Sequence, residues 1–253
     1  MALHFIFLEN MTAPKGADVS ALPKSVTIVG DEAHHAIRVK RLAAGDFVRL
    51  ANGHGATATA RIERTMKSSA GFEILTLIEP PGWSLAPQAS TPIEVFASPP
   101  KGDRLSTMVD MLGQIGVVRY TPLLTERTEV SANDHKRQRL ERVAVETLKQ
   151  CGRPWLLEIG EPVSFADALG TPPDAPTAFY VGDGDGKPLS VLRPSSTPGT
   201  TIRLLIGPEG GLSPRELAHA DAAGATRLAL GPHILRTESA AVVGAAALQS
   251  WLG

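Results

Sequence analysis

The spacing of hydrophobic residues divides the chain into two parts with different patterns. Over residues 1–80, apolar and polar residues alternate in short segments, which is typical of strands with one buried face. Asn52-Gly53 adds a turn signal between two of these segments. The pattern predicts a small β-rich domain over residues 1–80. Its strand candidates are residues 4–8, 26–29, 46–50, 57–62 and 72–78.

After residue 92, short continuous apolar runs alternate with segments whose apolar residues recur at helical spacing. The apolar runs, predicted as buried strands, are residues 93–97, 117–124, 177–181, 201–206 and 226–230. Helices are predicted between Arg104 and Gly116, from Asp134, from Pro214, and from Thr237 to Trp251. This alternation predicts an α/β domain over residues 93–253 with a mostly parallel sheet and helices on both sides. The Pro-, Gly- and Ser-rich residues 81–92 are predicted to link the two domains.

Two Gly-Pro loops within residues 204–238 each follow an apolar run and lead into a helix. The first is Ile206-Gly207-Pro208-Glu209-Gly210-Gly211, and the capping box Ser213-Pro214-Arg215-Glu216 then starts a helix. The second is Leu230-Gly231-Pro232. One such loop could be an ordinary turn, but two in succession favour a ligand crevice at the carboxyl ends of the strands.

The familiar phosphate-binding loop motif does not account for the glycine-rich segments of this chain. Residues 182–187 imitate such a loop, but Pro188 stands where Ser or Thr is needed. Asp183 and Asp185 would also repel a phosphate. The glycines at 207, 210 and 211 instead suggest backbone that takes unusual dihedral angles or lets a ligand approach closely.

Composition limits the partners of the chain. The 253 residues carry a formal net charge of −1, so any contact with nucleic acid must come from a local patch. Cys151 is the single cysteine, which fits a reducing compartment. We expect a cytoplasmic protein, since no signal peptide or membrane-spanning stretch is visible. We assign no metal, because the neighbours His34 and His35 would point about 100° apart on a helix.

Residues 31–67 contain seven Lys or Arg against four Asp or Glu. This surplus could hold an RNA backbone or could be a solvated face, and charge alone favours the solvated face.

The motifs together carry a family resemblance. The first glycine loop, with Leu230-Gly231-Pro232 and Ile234-Leu235-Arg236-Thr237-Glu238, resembles the SPOUT methyltransferases, most closely the family that methylates N3 of a uridine in small-subunit (16S) ribosomal RNA. His34-His35, Arg38-Val39, Arg41-Leu42 and Gly45-Asp46 resemble the PUA-like RNA-binding barrel at the amino terminus of that family. The resemblance implies a trefoil-knot α/β fold, S-adenosylmethionine as cofactor, a homodimer, and 16S rRNA or the small ribosomal subunit as partner.

The implied chemistry, with the placement of residues in the glycine loops, suggests roles for individual residues. Glu209 and Glu238 are candidates for the base that removes the N3 proton, and Arg236 for a cation that stabilises the charge developing on uracil. RNA contacts are expected from Arg38, Lys40, Arg41, Lys101 and Arg104. The cofactor is expected to contact Val181, Gly182, Asp183, Ile206, Gly207, Glu209, Gly210, Gly211, Leu230, Gly231, Ile234 and Leu235.

Other functions stay open. Gln114-Ile115-Gly116-Val117 departs from the Glu-Leu-Gly-Val run common in the family, so the chain could be an RNA-binding module with an inactive knotted domain. It could also be a SPOUT enzyme with another base or ribose as target, or an α/β enzyme that uses these loops for another nucleotide.

Overall fold

The structure is a computed structural model that describes residues 3–9, 11, 19–68, 71–129, 134–170, 176–188, 191 and 197–252. The chain divides into two compact units. The first comprises Met1–Gln88 and Leu148–Leu156, and the second comprises Ala89–Thr147 and Leu157–Gly253. The predicted boundaries of the two domains and the linker stay predictions.

The first unit contains a mixed sheet. Its strands are β1 (His4–Phe7), β2 (Ser25–Val29), β3 (Phe47–Ala51), β4 (Ala56–Ser68), β5 (Gly71–Ile78) and β6 (Ser84–Leu85). Their order is β1-β3-β4-β5-β2, with β6 also paired to β4. β1 runs parallel to β3, and the other pairs are antiparallel. Helical segments in this unit are a 3-10 turn (Val19–Ala21), α1 (Gly30–His34) and a π-helical turn (His35–Val39).

Alternation along these strands builds the core of the first unit. In β3, Val48 and Leu50 are fully buried while Phe47 is exposed, because successive side chains of a strand point to opposite faces. Ala33 of α1 is buried against the same cluster. The predicted β-rich character of the first 80 residues is confirmed.

The second unit is built on a parallel sheet. Its strands are β7 (Ile93–Ala97), β8 (Arg119–Leu124), β9 (Glu158–Ile159), β10 (Val163–Ser164), β11 (Thr177–Pro188), β12 (Thr201–Ile206) and β13 (Thr226–Ala229). Its helices are α2 (Arg104–Ile115), α3 (Asp134–Cys151), α4 (Phe165–Ala168), α5 (Pro214–Ala222) and α6 (Thr237–Leu252). Residues 148–151 at the end of α3 group with the first unit. The strand order is β10-β8-β7-β12-β11-β13, with β9 also paired to β8.

Each pairing between described strands of this sheet is parallel, so the prediction of a mostly parallel sheet is confirmed. The continuous apolar runs become strands that are covered on both faces. Ile202, Leu204 and Leu205 of β12 are all buried. Gly244 lets α6 pack closely on this strand, since a Cβ there would lie 2.8 Å from Leu204 Cδ2. In the part of the chain that the structure describes, no helix is long and apolar enough to cross a membrane.

The predicted capping box begins α5. The hydroxyl of the buried Ser213 accepts a hydrogen bond from the Glu216 amide (3.2 Å), and the Glu216 carboxylate accepts one from the Ser213 amide (2.8 Å). We expect Ser213→Ala to lower the free energy of unfolding by about 1 kcal/mol, because it leaves a helical N–H without its acceptor. Urea denaturation measures the change. Arg215→Ala, exposed on the same helix, is the control; equal effects of the two changes would contradict a stabilising cap.

One predicted strand end is wrong. Residues 177–181 were expected to end at Gly182-Asp183, but β11 continues to Pro188. Both Gly182 and Lys187 pair with Leu228 of β13, so residues 183–186 form a bulge between two paired segments. The interruption comes from pairing with a strand about 40 residues later, which periodicity within residues 177–188 does not reveal.

Candidate functional site

A cavity of about 350 Å³ lies where the neighbouring strands β12, β11 and β13 lead into their loops or bulge. Strand β11 with its bulge, the ends of β12 and β13 and the loops after them supply most of its wall, and α5 and α6 supply the rest. Its lining consists of Gly182, Asp183, Gly184, Asp185, Ile206, Gly207, Pro208, Glu209, Gly211, Leu212, Leu217, Leu228, Leu230, Gly231, His233, Ile234, Leu235, Thr237 and Ala240. The predicted crevice at the strand ends is therefore present as a cavity.

Glycine is needed at several points of this wall for packing. A Cβ on Gly182 would lie 2.6 Å from Ile206 Cδ1, and one on Gly207 would lie 3.0 Å from the Leu212 side chain. Gly211 has a φ of +69°, a conformation that other residues rarely adopt. Nothing lies within 4 Å of a Cβ on Gly231, so space there is open.

Hydrogen bonds fix the loop after β12. The Gly211 amide donates to the Pro208 carbonyl (2.8 Å), which closes a tight turn around Glu209 and Gly210. The Thr237 hydroxyl at the start of α6 donates to the Gly207 carbonyl (3.3 Å). The loop after β12 is thus tied to the helix that follows β13.

The segment after β8 also holds this loop. Arg127 Nη1 donates to the carbonyl of Gly210 (2.7 Å) and lies 3.4 Å from that of Leu212. Next to it, the Glu126 amide donates to the Glu216 carboxylate (2.9 Å). Residues 126 and 127 therefore contact the turn that carries the glycines and the start of α5.

We expect Arg127→Ala to speed hydrogen exchange of the Gly211 amide about fivefold. The reason is that a lost hydrogen bond of this kind, on an exposed side chain, is worth about 1 kcal/mol. Mass-detected hydrogen exchange over residues 208–212 measures it. Glu126→Ala is the matched control, because it keeps the backbone amide that contacts Glu216. If both variants exchange like the unmodified protein, Arg127 does not order the loop.

Acidic side chains line the β11 side of the cavity. Asp183 is paired with Arg227 of β13, and this hydrogen bond raises the pKa of the Arg227 guanidinium above its usual value. Asp185 lies on the same bulge and also lines the cavity. With Glu209 on the opposite loop, the wall presents carboxylates that suit a ligand carrying hydroxyl groups or positive charge.

The predicted catalytic residues lie in different surroundings. Glu209 lines the cavity, whereas the Glu238 side chain lies at the start of α6 and is only 16% exposed. Arg104, predicted as an RNA contact, places Nη1 3.4 Å from Glu238 Oε1 and 3.6 Å from Glu209 Oε1. Arg236 is exposed. The structure thus brings a cation to both carboxylates, and that cation is Arg104.

Most of the predicted cofactor contacts line the cavity. Val181 and Gly210 are not in the lining: Val181 is fully buried in the core, and Gly210 lies against Arg127. Both stay predictions as cofactor contacts. The sequence analysis did not identify Gly184, Asp185, Leu217, Leu228, Thr237 and Ala240 as lining residues. Thr237 and Ala240 lie one helical turn apart at the start of α6, but only tertiary packing shows which face of that helix meets the cavity.

The basic residues predicted to contact RNA are divided between the two units. Arg38, Lys40 and Arg41 of the first unit are exposed, and Arg38 also lies over the Phe72 ring at 5.1 Å. Lys101 of the second unit pairs with Glu129 (2.6 Å), which raises the pKa of the Lys101 ammonium. Among the described residues, no cluster of His, Cys, Asp and Glu could hold a metal ion.

Comparison with known proteins gives matches to both units. The family described as RNA methyltransferase domain matches residues 87–249, and the family described as RNA methyltransferase PUA domain matches residues 28–75. The ribosomal RNA small subunit methyltransferase E of Synechocystis sp. is 26% identical over 230 residues, covering 90% of this chain and 74% of the relative.

Solved structures share the fold. One is a putative methyltransferase from Legionella pneumophila in complex with the bound cofactor S-adenosylmethionine. It has a TM-score of 0.80 at 24% identity, and the match covers 99% of this chain and 98% of the Legionella chain. A ribosomal RNA small subunit methyltransferase E from Neisseria gonorrhoeae, bound to S-adenosylmethionine, has a TM-score of 0.78 at 23% identity, with 98% of each chain covered.

Proposed function

The chain belongs to the RNA methyltransferase domain family, and on this premise we propose that it transfers a methyl group from S-adenosylmethionine to N3 of a uridine in small-subunit (16S) ribosomal RNA. The family match confirms the resemblance drawn from the glycine loops. The relatives named as small-subunit rRNA methyltransferases support the choice of substrate. The choice of uridine N3 as target rests on the resemblance.

The observation that carries the proposal is the cavity made by the three loops. Its apolar residues, among them Ile206, Leu230 and Leu235, suit the flat adenine ring. The carboxylates of Asp183 and Glu209 suit the ribose hydroxyls and the positive charge of the methionine part. Neighbouring folds bound to S-adenosylmethionine support the same ligand. The apolar side chains and the carboxylate acceptors of the cavity therefore fit this cofactor.

S-adenosylmethionine supplies a methyl group bonded to a positively charged sulfur. The positive charge makes the methyl carbon electrophilic. The main task of the chain is to hold this carbon and the target nitrogen in line and close together. The loop after β12, fixed by Arg127 and Thr237, is suited to this positioning. The uracil imide must also lose its N3 proton, and Glu209 and Glu238 are the candidate acceptors. Arg236 stays a candidate for the stabilising cation.

RNA binding is part of the proposal. The PUA domain match covers Arg38, Lys40 and Arg41, whose exposed charges can contact phosphates. A target uridine would have to leave its stack to reach the cavity. We also propose, from the family resemblance, a homodimer with a knotted methyltransferase domain that acts in the cytoplasm, where ribosomal RNA is modified.

Isothermal titration tests the ligand class. We expect S-adenosylmethionine and its demethylated product to bind at micromolar concentration, whereas NAD and ATP, whose phosphates would face Asp183 and Asp185, do not bind. Binding of NAD or ATP instead would favour another α/β enzyme. Absence of binding by all four ligands would favour an RNA-binding module with an inactive domain.

A further inference from the structure

Arg104 joins three segments that are distant in sequence. Its Nη1 contacts Oε1 of Glu238 at the start of α6 and Oε1 of Glu209 in the loop after β12, at 3.4 and 3.6 Å. Its Nε donates to the Lys101 carbonyl (3.3 Å), so its own loop orients the guanidinium. Arg104 is itself the first residue of α2.

The two carboxylates at Arg104 differ in burial and in hydrogen bonding. The Glu209 side chain is 47% exposed and faces the cavity, whereas that of Glu238 is 16% exposed. The second oxygen of Glu238, Oε2, is buried and accepts no hydrogen bond from the described part of the chain. A buried acceptor without a donor is energetically unfavourable. Glu238 is not itself in the lining of the cavity, but its neighbour Thr237 is, and Oε2 keeps an acceptor that the described residues leave unused.

We propose that Arg104 is a positioning residue that holds Glu238 so that Oε2 takes the proton from N3 of the target uracil. The proposal rests on the proposed function. The N3–H proton passes to Glu238, and the N3 electron pair forms the new bond to the methyl carbon. The electrons of the carbon–sulfur bond stay on sulfur, so the products are N3-methyluridine, S-adenosylhomocysteine and protonated Glu238, which then releases its proton to solvent.

The charges around Arg104 argue against the phosphate contact expected from the sequence. A guanidinium that already faces two carboxylates offers little net positive charge to an RNA backbone. Lys101, by comparison, is exposed and has one partner, Glu129, at the surface. Lys101 is therefore the better candidate for an RNA contact at this end of α2, and it supplies a matched control.

Steady-state kinetics on a 16S rRNA substrate distinguishes a role of Arg104 in positioning Glu238 from a contact between Arg104 and the RNA backbone. The variants are Glu238→Gln, Arg104→Ala, Arg104→Lys, the double variant Arg104→Ala/Glu238→Gln, and Lys101→Ala as control. We expect Glu238→Gln to lower kcat about 100-fold, with the Kd for S-adenosylmethionine changed less than about threefold. Arg104→Ala should lower kcat about tenfold, and Arg104→Lys should restore part of it.

The double variant is the deciding measurement. If Arg104 acts through Glu238, removing both costs no more in kcat than Glu238→Gln alone. Lys101→Ala should raise the KM for RNA and reduce the salt dependence of RNA binding. Multiplicative losses in the double variant, or an Arg104→Ala effect confined to KM for RNA, would overturn the proposal. So would loss of cofactor binding in Glu238→Gln. If the unmodified protein makes no N3-methyluridine, the proposed function fails as well; if it does and these variants disagree, only this inference fails.

Discussion

Replacing Gly186 with alanine is expected to lower the free energy of unfolding by about 3 kcal/mol. A Cβ at this position would lie 2.6 Å from the Arg227 carbonyl carbon and the Leu228 nitrogen, both in the backbone of β13. Backbone in a paired strand can move aside only by giving up its ladder to β11, and overpacking of this kind costs about 1–3 kcal/mol or more. Urea denaturation followed by circular dichroism measures the loss.

Gly184, two residues earlier on the same bulge, is the matched control. A Cβ there has no atom within 4 Å and the backbone is not left-handed, so Gly184→Ala should change stability by less than about 0.5 kcal/mol. A similar loss in both variants would mean that the bulge tolerates no side chain at either glycine. The close packing of Gly186 on β13 would then not be the cause.

Gly182→Ala is expected to weaken S-adenosylmethionine binding about tenfold or more. The new Cβ would lie 2.6 Å from Ile206 Cδ1, so the Ile206 side chain must rotate, and Ile206 lines the cavity. The rotated Ile206 side chain raises the free energy of the bound state by about 1–3 kcal/mol, and a cost of this size lowers the affinity about tenfold or more. Isothermal titration measures the affinity directly.

A second substitution tests the cause of the Gly182 effect. Ile206→Val removes the Cδ1 atom that the new methyl group would meet. In the Ile206→Val background, Gly182→Ala should therefore change affinity by less than about threefold. If the double variant stays as weak as Gly182→Ala alone, contact with Ile206 does not explain the loss, and a direct clash with the ligand becomes the better explanation.

Local sequence signals predicted much of the second unit, because its strands and helices carry their own start and stop residues. Helix α2 ends at Ile115 with Gly116 in the left-handed region, as the glycine predicted, and α5 begins at Pro214 behind its capping box. The apolar run 93–97 matches β7. The α/β class and the PUA-like character of the first unit are confirmed by the fold and by the family matches. The knot and the dimer stay predictions.

The candidate site was predictable only where the cavity-lining groups lie in the glycine loops themselves. Glu209, Gly207 and Leu230 were identified because the loop motifs mark them. The pairing of Asp183 with Arg227 depends on the strand order β11-β13, and the position of Arg104 depends on the packing of α2 against α6. These are contacts over more than 40 residues of sequence. Periodicity and capping signals describe local structure and carry no information about them.

Different residues fix the carboxylates on different sides of the cavity. On the β11 side, Asp183 is fixed by Arg227, and on the β12 side Glu209 projects from a turn held by Arg127. Behind Glu209, Arg104 connects it to Glu238. The proposed methyl donor would thus be held by loops whose shape is set from outside, and the proposed proton acceptor by a separate cation.

The most direct test of the central claim is methyl transfer by the unmodified chain. Small ribosomal subunits and naked 16S rRNA, both from cells lacking this protein, are incubated with it and S-adenosylmethionine carrying a labelled methyl group. The nucleosides are then identified by mass spectrometry. We expect the label on N3-methyluridine, at a single position of the RNA, from at least one of the two substrates. Label on a ribose, on another base or on protein, or no label in either RNA, would contradict the account.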